Sequence, residues 1–388
     1  MKALPLSIRF ARHPQVQTFG KRIGRIGRVL LAGLLDALFP LKPSLPLPAP
    51  GEVRSVLLVR PNFRIGNTLL LAPLVPALRE RYPDATLDVL SGDSTTALLD
   101  GLPIDRVHAI SRYFLMRPWR FVALFVRLRR SRYDLVLEGG MGSLSGAIYG
   151  WLAGGRHRAG TDGRGRRLLD VRFPEPHVSH VYDWAPEIAR HLGASCDARP
   201  LFIVLPRDDA EARAALASLD LCGADGEPKP FVLVFPGGHL KKRWPDANWI
   251  ALCERLARRG VPVLVGIGPE EHRLLGPIAA LAPLGVRLLP PGPIRRFGAI
   301  LARASLVVTA DSGPLHLSAA VGAATVALLQ RHESRRYVPR GAHDRWVVAP
   351  SVEQAEEVVV SHPAWSEVLR SSGEGTPANV PTMRSAAS

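Results

Sequence analysis

Hydrophobic residues along the chain form two series of alternating strand and helix patterns, preceded by a basic stretch and followed by a polar tail. The first series opens with SVLLVR, a near-continuous apolar run typical of strands buried on both faces of a parallel sheet. The helical pattern TLLLAPLVPALRERYP and the strands ATLDVLSG and YDLVLEGG follow. Residues 51–205 are therefore predicted to form an α/β domain with a parallel sheet.

The second series begins at PFVLVFPGG and continues through the helix NWIALCERLARRG, the strand PVLVGIG and the helix EEHRLLGPIAAL. It predicts a second domain over residues 230–368, joined to the first by the charged, less regular stretch 206–229. Two such series predict an α/β protein with two facing Rossmann-like domains, in which ligands bind at the carboxyl ends of the strands. Residues 369–388 are rich in Ser, Gly, Pro and Ala and are predicted to form a disordered tail.

Residues 1–50 differ from both series, because up to residue 42 they hold eight basic side chains and one acid. Two interpretations stay open: a basic amphipathic helix lying on an anionic membrane face, or a helix packed onto the protein's own domain. A signal peptide is disfavoured, since the charged region is long and no A-x-A site follows. PLKPSLPLPAPGE is predicted to be a stiff linker. The apolar residues at roughly helical spacing are Phe19, Ile23, Ile26, Leu30, Leu34 and Leu38.

The charge balance favours an anionic partner. The formal net charge is +16, which suits a phosphorylated substrate, an acidic lipid surface or a nucleic acid. Cys196, Cys222 and Cys253 lie far apart without a C-x-x-C spacing, which argues against a disulfide framework or a zinc site. The sequence holds no apolar run of the about 18 residues that a membrane-spanning helix needs.

The segment VVTADSGPLHLSAAVGAATVALL, residues 307–329, carries the clearest candidate chemistry. A buried strand passes through a polar glycine turn directly into a helix that is predicted to end at Gly322. Ser312 or Asp311 is expected to cap this helix, and Pro314 suits its first turn. The unpaired N–H groups and the dipole of such a helix start attract anions, although any βαβ unit needs some cap.

Three segments, in this order, resemble the motifs of glycosyltransferase family 9, the heptosyltransferases of lipopolysaccharide core assembly. They are VLLVRPNFRIGNTLLLAPLVPALRERYP, VFPGGHLKKRWPDANWIALCERL and ADSGPLHLSAAVG, and they span roughly residues 53–350. The resemblance implies a GT-B fold with the active site in the cleft between the domains. It further implies inverting transfer from a nucleotide-sugar, first of all ADP-heptose, without a metal or other cofactor. The implied acceptor is an anionic envelope glycolipid at the cytoplasmic face of the cytoplasmic membrane.

The resemblance also implies a donor site. Lys242, at the lysine of the family's Lys-x-Trp-Pro element, is expected to compensate the charge that grows on the diphosphate as the sugar leaves. Backbone N–H groups at the start of the third motif's helix are expected to do the same, with His316 reaching phosphate or fixing the loop. The residues of this motif assigned to the donor are Asp311, Ser312, Gly313, Leu315 and His316.

Two further pairs complete the implied donor site. Gly237 and Gly238 are expected to let the backbone approach the donor closely. Glu270 or Glu271, just after the strand VLVGIG, is expected to accept hydrogen bonds from the ribose hydroxyls. The alternative for these acids is that they only complement the dipole of the helix that they begin.

The first motif departs from the family at its catalytic position. Where the family has an aspartate expected to act as general base, this chain has Asn67, whose amide cannot take a proton at neutral pH. Asn67, with Arg64 and Gly66, is assigned to the acceptor side. Glu138, which lies near the end of YDLVLEGG, is the first substitute for the base, and Asp93 in LSGDS is the second.

Other outcomes stay open at this point. Asn67 could orient the acceptor with only weak base catalysis, or the chain could be a catalytically silent homologue that binds nucleotide-sugar or glycan. The continuation LLQRHESRRYVPRG lacks the Gly-Pro-Thr run usual in the family, so another donor or acceptor is also open.

Two basic segments accompany the first domain. Residues 106–133 hold eight arginines and no acid, and GGRHRAGTDGRGRR adds a second cluster. Both are expected to face an anionic acceptor rather than solvent alone. Nucleic-acid binding is disfavoured, because no RNA-binding aromatic motif accompanies the charge and only 6% of the residues are aromatic.

Overall fold

The computed structural model describes residues 33–35, 37–175, 177–238 and 242–371. A first parallel sheet has the order β3-β2-β1-β4-β5-β6. A second parallel sheet has the order β12-β11-β10-β7-β8-β9. The strands are β1 Ser55–Arg60, β2 Thr86–Gly92, β3 Arg106–Ile110, β4 Leu135–Glu138, β5 His157–Thr161, β6 Val171–Phe173, β7 Val232–Phe235, β8 Val263–Gly266, β9 Val286–Leu289, β10 Leu306–Ala310, β11 Thr325–Leu329 and β12 Asp344–Val348.

Each sheet repeats the same 3-2-1-4-5-6 arrangement, which confirms two Rossmann-like units. The helices that connect and cover the sheets are α1 Ile65–Leu71, α2 Leu74–Arg81, α3 Pro118–Arg130, α4 Leu144–Ala153, α5 Trp184–His191, α6 Pro206–Ala217, α7 Asp246–Ala257, α8 Leu275–Ala279, α9 Ile294–Arg303, α10 Gly313–Val321, α11 Val352–Val360 and α12 Pro363–Ser371.

Apolar strands explain why both faces of each sheet are covered. In β1, Val56 and Leu58 point into the core beneath α1 and α2, while Leu57 and Val59 point into the core beneath α3. A strand buried on both faces has no polar positions to alternate with, so its sequence reads as a continuous apolar run. β10 behaves in the same way in the second sheet, where all five residues are buried.

The stretch 206–229 is more regular than its charged sequence suggests. Residues 206–217 form α6, which packs on α9 of the second unit. Asp208 accepts hydrogen bonds from Arg295, and Asp209 pairs with Arg303. The acids that suggested a solvated connection are thus bound to a helix of the second unit.

Only the end of the N-terminal basic segment belongs to the described residues. Phe19, Ile23, Ile26 and Leu30 lie outside them. Leu35 and Phe39 pack against α4, where the Phe39 ring meets Trp151 edge-on at 5.6 Å, while Leu34 and Leu38 are exposed. The proline-rich stretch that follows pairs with the edge strand β6, since Arg172 donates its N–H to Ser44 and Leu45 donates to Asp170.

The predicted tail begins later than expected. α12 continues through Ser371, and its residues Trp365 and Val368 are buried in the core of the second unit. Residues 372–388 lie outside the described part of the chain.

Candidate active site

The two units meet at the starts of α1 and α10, which are the helices of the first and third motifs. A Cβ atom added to Gly66 would lie 2.4 Å from Cδ2 of His316, and one added to Gly313 would lie 3.1 Å from Cβ of Ile65. Any larger residue at Gly66 would push the helices apart. The motif glycines therefore permit close contact across the cleft.

The turn after β10 leaves polar groups unpaired at the start of α10. Ser312 occupies the N-cap position with extended backbone, but its side chain accepts no capping hydrogen bond. Its buried Oγ has no hydrogen-bond partner among the described residues. The expectation that Ser312 or Asp311 caps the helix is therefore confirmed for the position of Ser312, but no side-chain capping bond forms. The first N–H groups of α10, those of Gly313 and Leu315 among them, have no intrahelical acceptor either, while Pro314 between them has no N–H.

Lys242 brings a cation to the same turn. Its Nζ lies 2.6 Å from Oδ2 of buried Asp311 and 4.6 Å from the centre of the Tyr337 ring. About a third of the Lys242 side chain is exposed, so the ammonium remains accessible from the cleft. Asp311 thus positions the lysine of the second motif over the helix start of the third.

His316 is buried one turn into α10. Its Nδ1 lies 3.4 Å from the hydroxyl of Tyr182, which comes from the first unit. Burial lowers the pKa of His316 to about 4, with a smaller opposing effect from Asp311. The imidazole is therefore neutral near pH 7 and offers a hydrogen bond rather than a charge.

The glycine turn after β7 faces the loop after β8. A Cβ atom on Gly237 would lie 2.2 Å from the Phe235 ring and 3.1 Å from the Glu271 carboxyl carbon, so this position admits only glycine. Gly238 has room for a Cβ atom. Glu271 is buried, and Arg243 donates to it at 3.3 Å. Glu270 beside it is exposed.

An apolar cavity of about 160 Å³ lies between these loops and the first unit. Its lining is mainly apolar, with Arg296 as its charged member, so it suits a largely apolar group. The proline-rich turn after β9 forms one wall. Its lining includes Ile65, Phe235, Pro291, Ile294, Phe297 and Pro314.

The acceptor-side residues of the first motif lie at the start of α1. Arg64 is exposed and its backbone N–H donates to Oδ1 of Asn62 at 2.8 Å. Asn67 is partly exposed in the first turn of the helix. Its side chain is available to hold a hydroxyl, but it has no proton-accepting oxygen of carboxylate basicity.

Glu138 is buried at the end of β4 and only 3% exposed. Its carboxylate accepts hydrogen bonds from the N–H groups of Gly140 and Gly142 at 2.5 and 3.3 Å. Burial raises its pKa to about 7, against the opposing effects of Arg60 and these N–H groups. The raised pKa of Glu138 suits a general base. Its hydrogen bonds to Gly140 and Gly142, however, show that the carboxylate stabilises the loop after β4.

Asp93 is exposed at the end of β2. It lines a groove of about 560 Å³ together with Arg117 and Arg120. The groove adjoins the first motif, since a Cβ atom on the preceding Gly92 would lie 2.7 Å from the Phe63 ring. Asp93 is therefore an accessible carboxylate next to the first motif.

Comparison with known protein families shows the family to which the chain belongs. Residues 121–363, more than half of the chain, match the model of glycosyltransferase family 9 (heptosyltransferase). The chain belongs to glycosyltransferase family 9. It is a glycosyltransferase of the GT-B fold, as predicted.

Named relatives agree with this membership. The chain is 25% identical to lipopolysaccharide heptosyltransferase 3 of Escherichia coli, over 68% of this chain and 80% of the relative. It is 30% identical to lipopolysaccharide heptosyltransferase 1 of Pseudomonas aeruginosa, over 52% of this chain and 56% of the relative. The solved structure of E. coli ADP-heptose lps heptosyltransferase II aligns with a TM-score of 0.63 at 21% identity, over 79% and 98% of the two chains. That structural likeness shows a shared fold.

For this family 9 glycosyltransferase, the structure brings the second and third motifs together at Lys242, Asp311 and Ser312, and places Gly66 beside His316. Glu138 and Asp93 lie apart from that cluster, each at the end of a different strand of the first sheet. Sequence reasoning missed Tyr182, Tyr337 and the apolar cavity. A proline-rich turn directly after a buried strand is the one local signal that could have indicated the cavity wall.

Within the described residues, no helix combines the length and the apolar character needed to cross a bilayer.

Proposed function

We propose that this glycosyltransferase transfers a heptose from ADP-heptose to a lipopolysaccharide-core or related envelope glycolipid, with inversion and without a metal ion. The observation that carries the proposal is the convergence of Lys242 and the start of α10 beside an apolar cavity in the cleft. The names of the relatives suggest the acceptor class, and the name of the solved E. coli ADP-heptose heptosyltransferase suggests the donor.

The leaving diphosphate would be stabilised at the start of α10. Negative charge grows on it as the sugar–phosphate bond breaks, and fixed donors aimed at that charge lower the barrier. Lys242 supplies the cation, while the hydroxyl of Ser312 and the N–H groups of Gly313 and Leu315 supply hydrogen bonds. Each hydrogen bond to a charged group contributes about 1.5–3 kcal/mol. His316 acts as a neutral partner, because burial keeps its pKa near 4.

The nucleoside would occupy the loops on the second unit. The apolar cavity accepts the base, and the ribose then lies at the loop after β8, where Glu270 and Glu271 are the nearby acids. Of the two, Glu270 is exposed and free to accept from ribose hydroxyls, while Glu271 already pairs with Arg243. Gly237 keeps the space between the two loops open.

The acceptor would lie on the first unit, with Asn67 orienting its hydroxyl. The exposed carboxylate of Asp93 then takes the proton, since the carboxylate of Glu138 is buried and already hydrogen-bonded to its own loop. The groove arginines Arg117 and Arg120 provide charge for an anionic glycolipid. This ranks Asp93 above Glu138, the reverse of the order suggested by sequence.

The basic N-terminal segment would hold the enzyme at the cytoplasmic face of the cytoplasmic membrane. Its described end is apolar on both sides, with Leu35 and Phe39 against the protein and Leu34 and Leu38 exposed. Basic segments near anionic lipid gain about 1 kcal/mol per Lys or Arg. Deleting residues 1–50 is expected to reduce membrane recovery while nucleotide binding remains.

The test is donor-dependent release of ADP by the purified protein. We expect turnover with ADP-heptose and a core glycolipid extract, no turnover with UDP-glucose, and full activity in EDTA. Activity that is lost with EDTA and restored by added divalent cation would overturn the metal-free mechanism. A preference for UDP-sugar would overturn the donor assignment.

A second candidate function is a catalytically silent nucleotide-sugar or glycan-binding protein, and Asn67 is the observation that favours it. Such a protein would bind ADP by calorimetry yet show no turnover with any donor, even after Asn67→Asp restores the family's carboxylate. Turnover by the native protein would exclude it.

A further inference from the structure

Helix α3 has apolar residues on two opposite faces. Leu124, Phe125 and Leu128 are buried against the first sheet. At about 100° per residue, Trp119, Val122 and Val126 fall on the other side of the helix, where Trp119 is 64% exposed. A helix at the edge of a globular unit normally presents a polar face there.

The loop before the helix extends this apolar surface. Tyr113, Leu115 and Met116 are all exposed, Leu115 by 80%. Large exposed apolar patches rimmed by polar residues mark sites of interaction. We call the six residues Tyr113, Leu115, Met116, Trp119, Val122 and Val126 the α3 patch.

Arginines without acidic partners surround the α3 patch. Residues 106–133 contain no acid. Arg120 and Arg127 lie along one side of the exposed stripe of α3 and Arg129 along the other, with Arg117 in the loop, and all are exposed. Across the described part of the chain, none of these four arginines forms an ion pair with an acid. An apolar stripe flanked by arginines is the pattern of a helix that lies in a membrane interface.

The described end of the N-terminal segment, residues 33–35 and 37–42, lies near α3. Phe39 packs on Trp151 of α4, and Tyr149 of α4 stacks on Phe125 of α3 at 5.7 Å. The described end of that segment is therefore separated from α3 by one helix. The described, partly apolar end of the N-terminal segment and α3 thus lie on either side of α4 in the first unit.

We propose that the α3 patch docks on a bilayer that contains anionic lipid, with Trp119 and the neighbouring apolar side chains in the interface and the arginines at the headgroups. A second copy of this chain is a poorer occupant, because a two-fold interface would bring the same arginines face to face. The lipid phosphates supply the opposite charge for arginines that form no ion pair within the described residues.

This orientation has a consequence for the groove that contains Asp93. The groove and the docking surface share three residues, Tyr113, Met116 and Arg117. Arg112 stacks over the Phe63 ring of the first motif at 5.1 Å. In the docked orientation, the mouth of the groove would therefore lie at the level of the lipid headgroups, next to the start of α1. The docking itself does not depend on sugar transfer.

The experiment is flotation of the full-length protein with phosphatidylcholine vesicles that do or do not contain phosphatidylglycerol, and with no glycolipid present. We expect binding only with phosphatidylglycerol, weakening as salt rises. Trp119→Gln/Val122→Gln should lower the bound fraction by about tenfold, and glutamine at these exposed positions preserves helix propensity. Leu284→Gln/Trp346→Gln is the matched control, because it removes exposed apolar residues of the second unit and should bind as the parent does.

Three results would overturn the proposal. One is equal binding by the Trp119→Gln/Val122→Gln variant and its control. Another is a dimer of the parent protein that dissociates with the same two substitutions in the absence of lipid. The third comes from vesicles with brominated phospholipid, which quenches nearby tryptophan fluorescence. We expect quenching of the parent protein but not of Trp119→Phe. Equal quenching of both proteins would place the bilayer elsewhere.

Discussion

Lys242 lies 2.6 Å from Asp311, so a carboxylate of the chain compensates its charge, and in the proposed mechanism a diphosphate takes that place. We predict that Lys242→Met weakens ADP binding by about tenfold or more, equivalent to about 1.4 kcal/mol, whereas Lys242→Arg loses less because it keeps the charge. Calorimetry with ADP measures the change. Arg259→Met, which removes a surface cation paired with Glu356, is the control. ADP affinity that is unchanged in Lys242→Met would remove this lysine from the donor site.

The missing base is tested by three substitutions. Base assistance is worth about 10²- to 10⁴-fold, so Asp93→Asn should reduce turnover by about a hundredfold while ADP affinity stays unchanged. Glu138→Gln should lose much less, because its amide oxygen can still accept from the N–H of Gly140. Asn67→Asp should preserve or raise the rate. If Glu138→Gln instead abolishes turnover and Asp93→Asn does not, the order suggested by the sequence was the right one.

His316 links stability to pH. Its pKa is about 4 in the folded protein, below its ordinary value of 6.5, because burial disfavours the charged imidazole. The unfolded chain therefore binds the extra proton first as pH falls, and stability decreases between pH 6.5 and 4 by up to about 3 kcal/mol. His316→Gln should flatten that part of the pH dependence in denaturant titrations. An unchanged slope would mean that other groups control acid unfolding.

Arg295 acts at the scale of elements, because one side chain ties four segments together. It donates to the carbonyls of Ala97, Asp100 and Ile203 and to buried Asp208, with distances of 2.7 to 3.2 Å for the contacts to Ala97, Asp100 and Ile203. The guanidinium also lies over the Phe202 ring. α9 of the second unit is thus held to the loop after β2 of the first.

Arg295→Leu should lower the free energy of unfolding by about 3–5 kcal/mol, because it leaves the Asp208 carboxylate buried without its partner. Adding Asp208→Asn should recover part of the loss, since the unpaired charge is then gone. Arg258→Leu is the control, because Arg258 forms an exposed pair with Glu254. It should change the free energy of unfolding by less than about 1 kcal/mol. Equal losses at the two arginines would mean that Arg295 is not a special contact between the units.

The elements differ in how far sequence could predict them. Strands such as β1 and β10 were predictable because burial on both faces leaves a continuous apolar run. α6 was not, since the charges that suggested a linker are neutralised by Arg295 and Arg303, about ninety residues away along the chain and visible only in the fold. The same limit applies in the site. The motif glycines were found, but the burial of Glu138 and the exposure of Asp93 depend on how neighbouring loops fold.

At the scale of the whole molecule, the residues of the candidate site are distributed over two Rossmann-like units with the same strand order. The second unit carries the cation, the start of α10 and the wall of the apolar cavity, while the first carries Asn67, Asp93 and the basic surface around α3. Gly66 and Gly313 let the two helix starts contact each other closely across the cleft. The proposed donor site and the proposed docking surface thus lie on different units.

The glycolipid made by cells that lack this gene is the most direct measure of the central claim, transfer of a sugar to an envelope glycolipid. We predict that mass spectrometry finds the core truncated by one heptosyl unit, and that the native gene restores it while the Lys242→Met gene restores much less. An unaltered glycolipid mass in the deletion strain, with ADP-heptose still bound by the purified protein, would contradict the account and favour the silent binding protein.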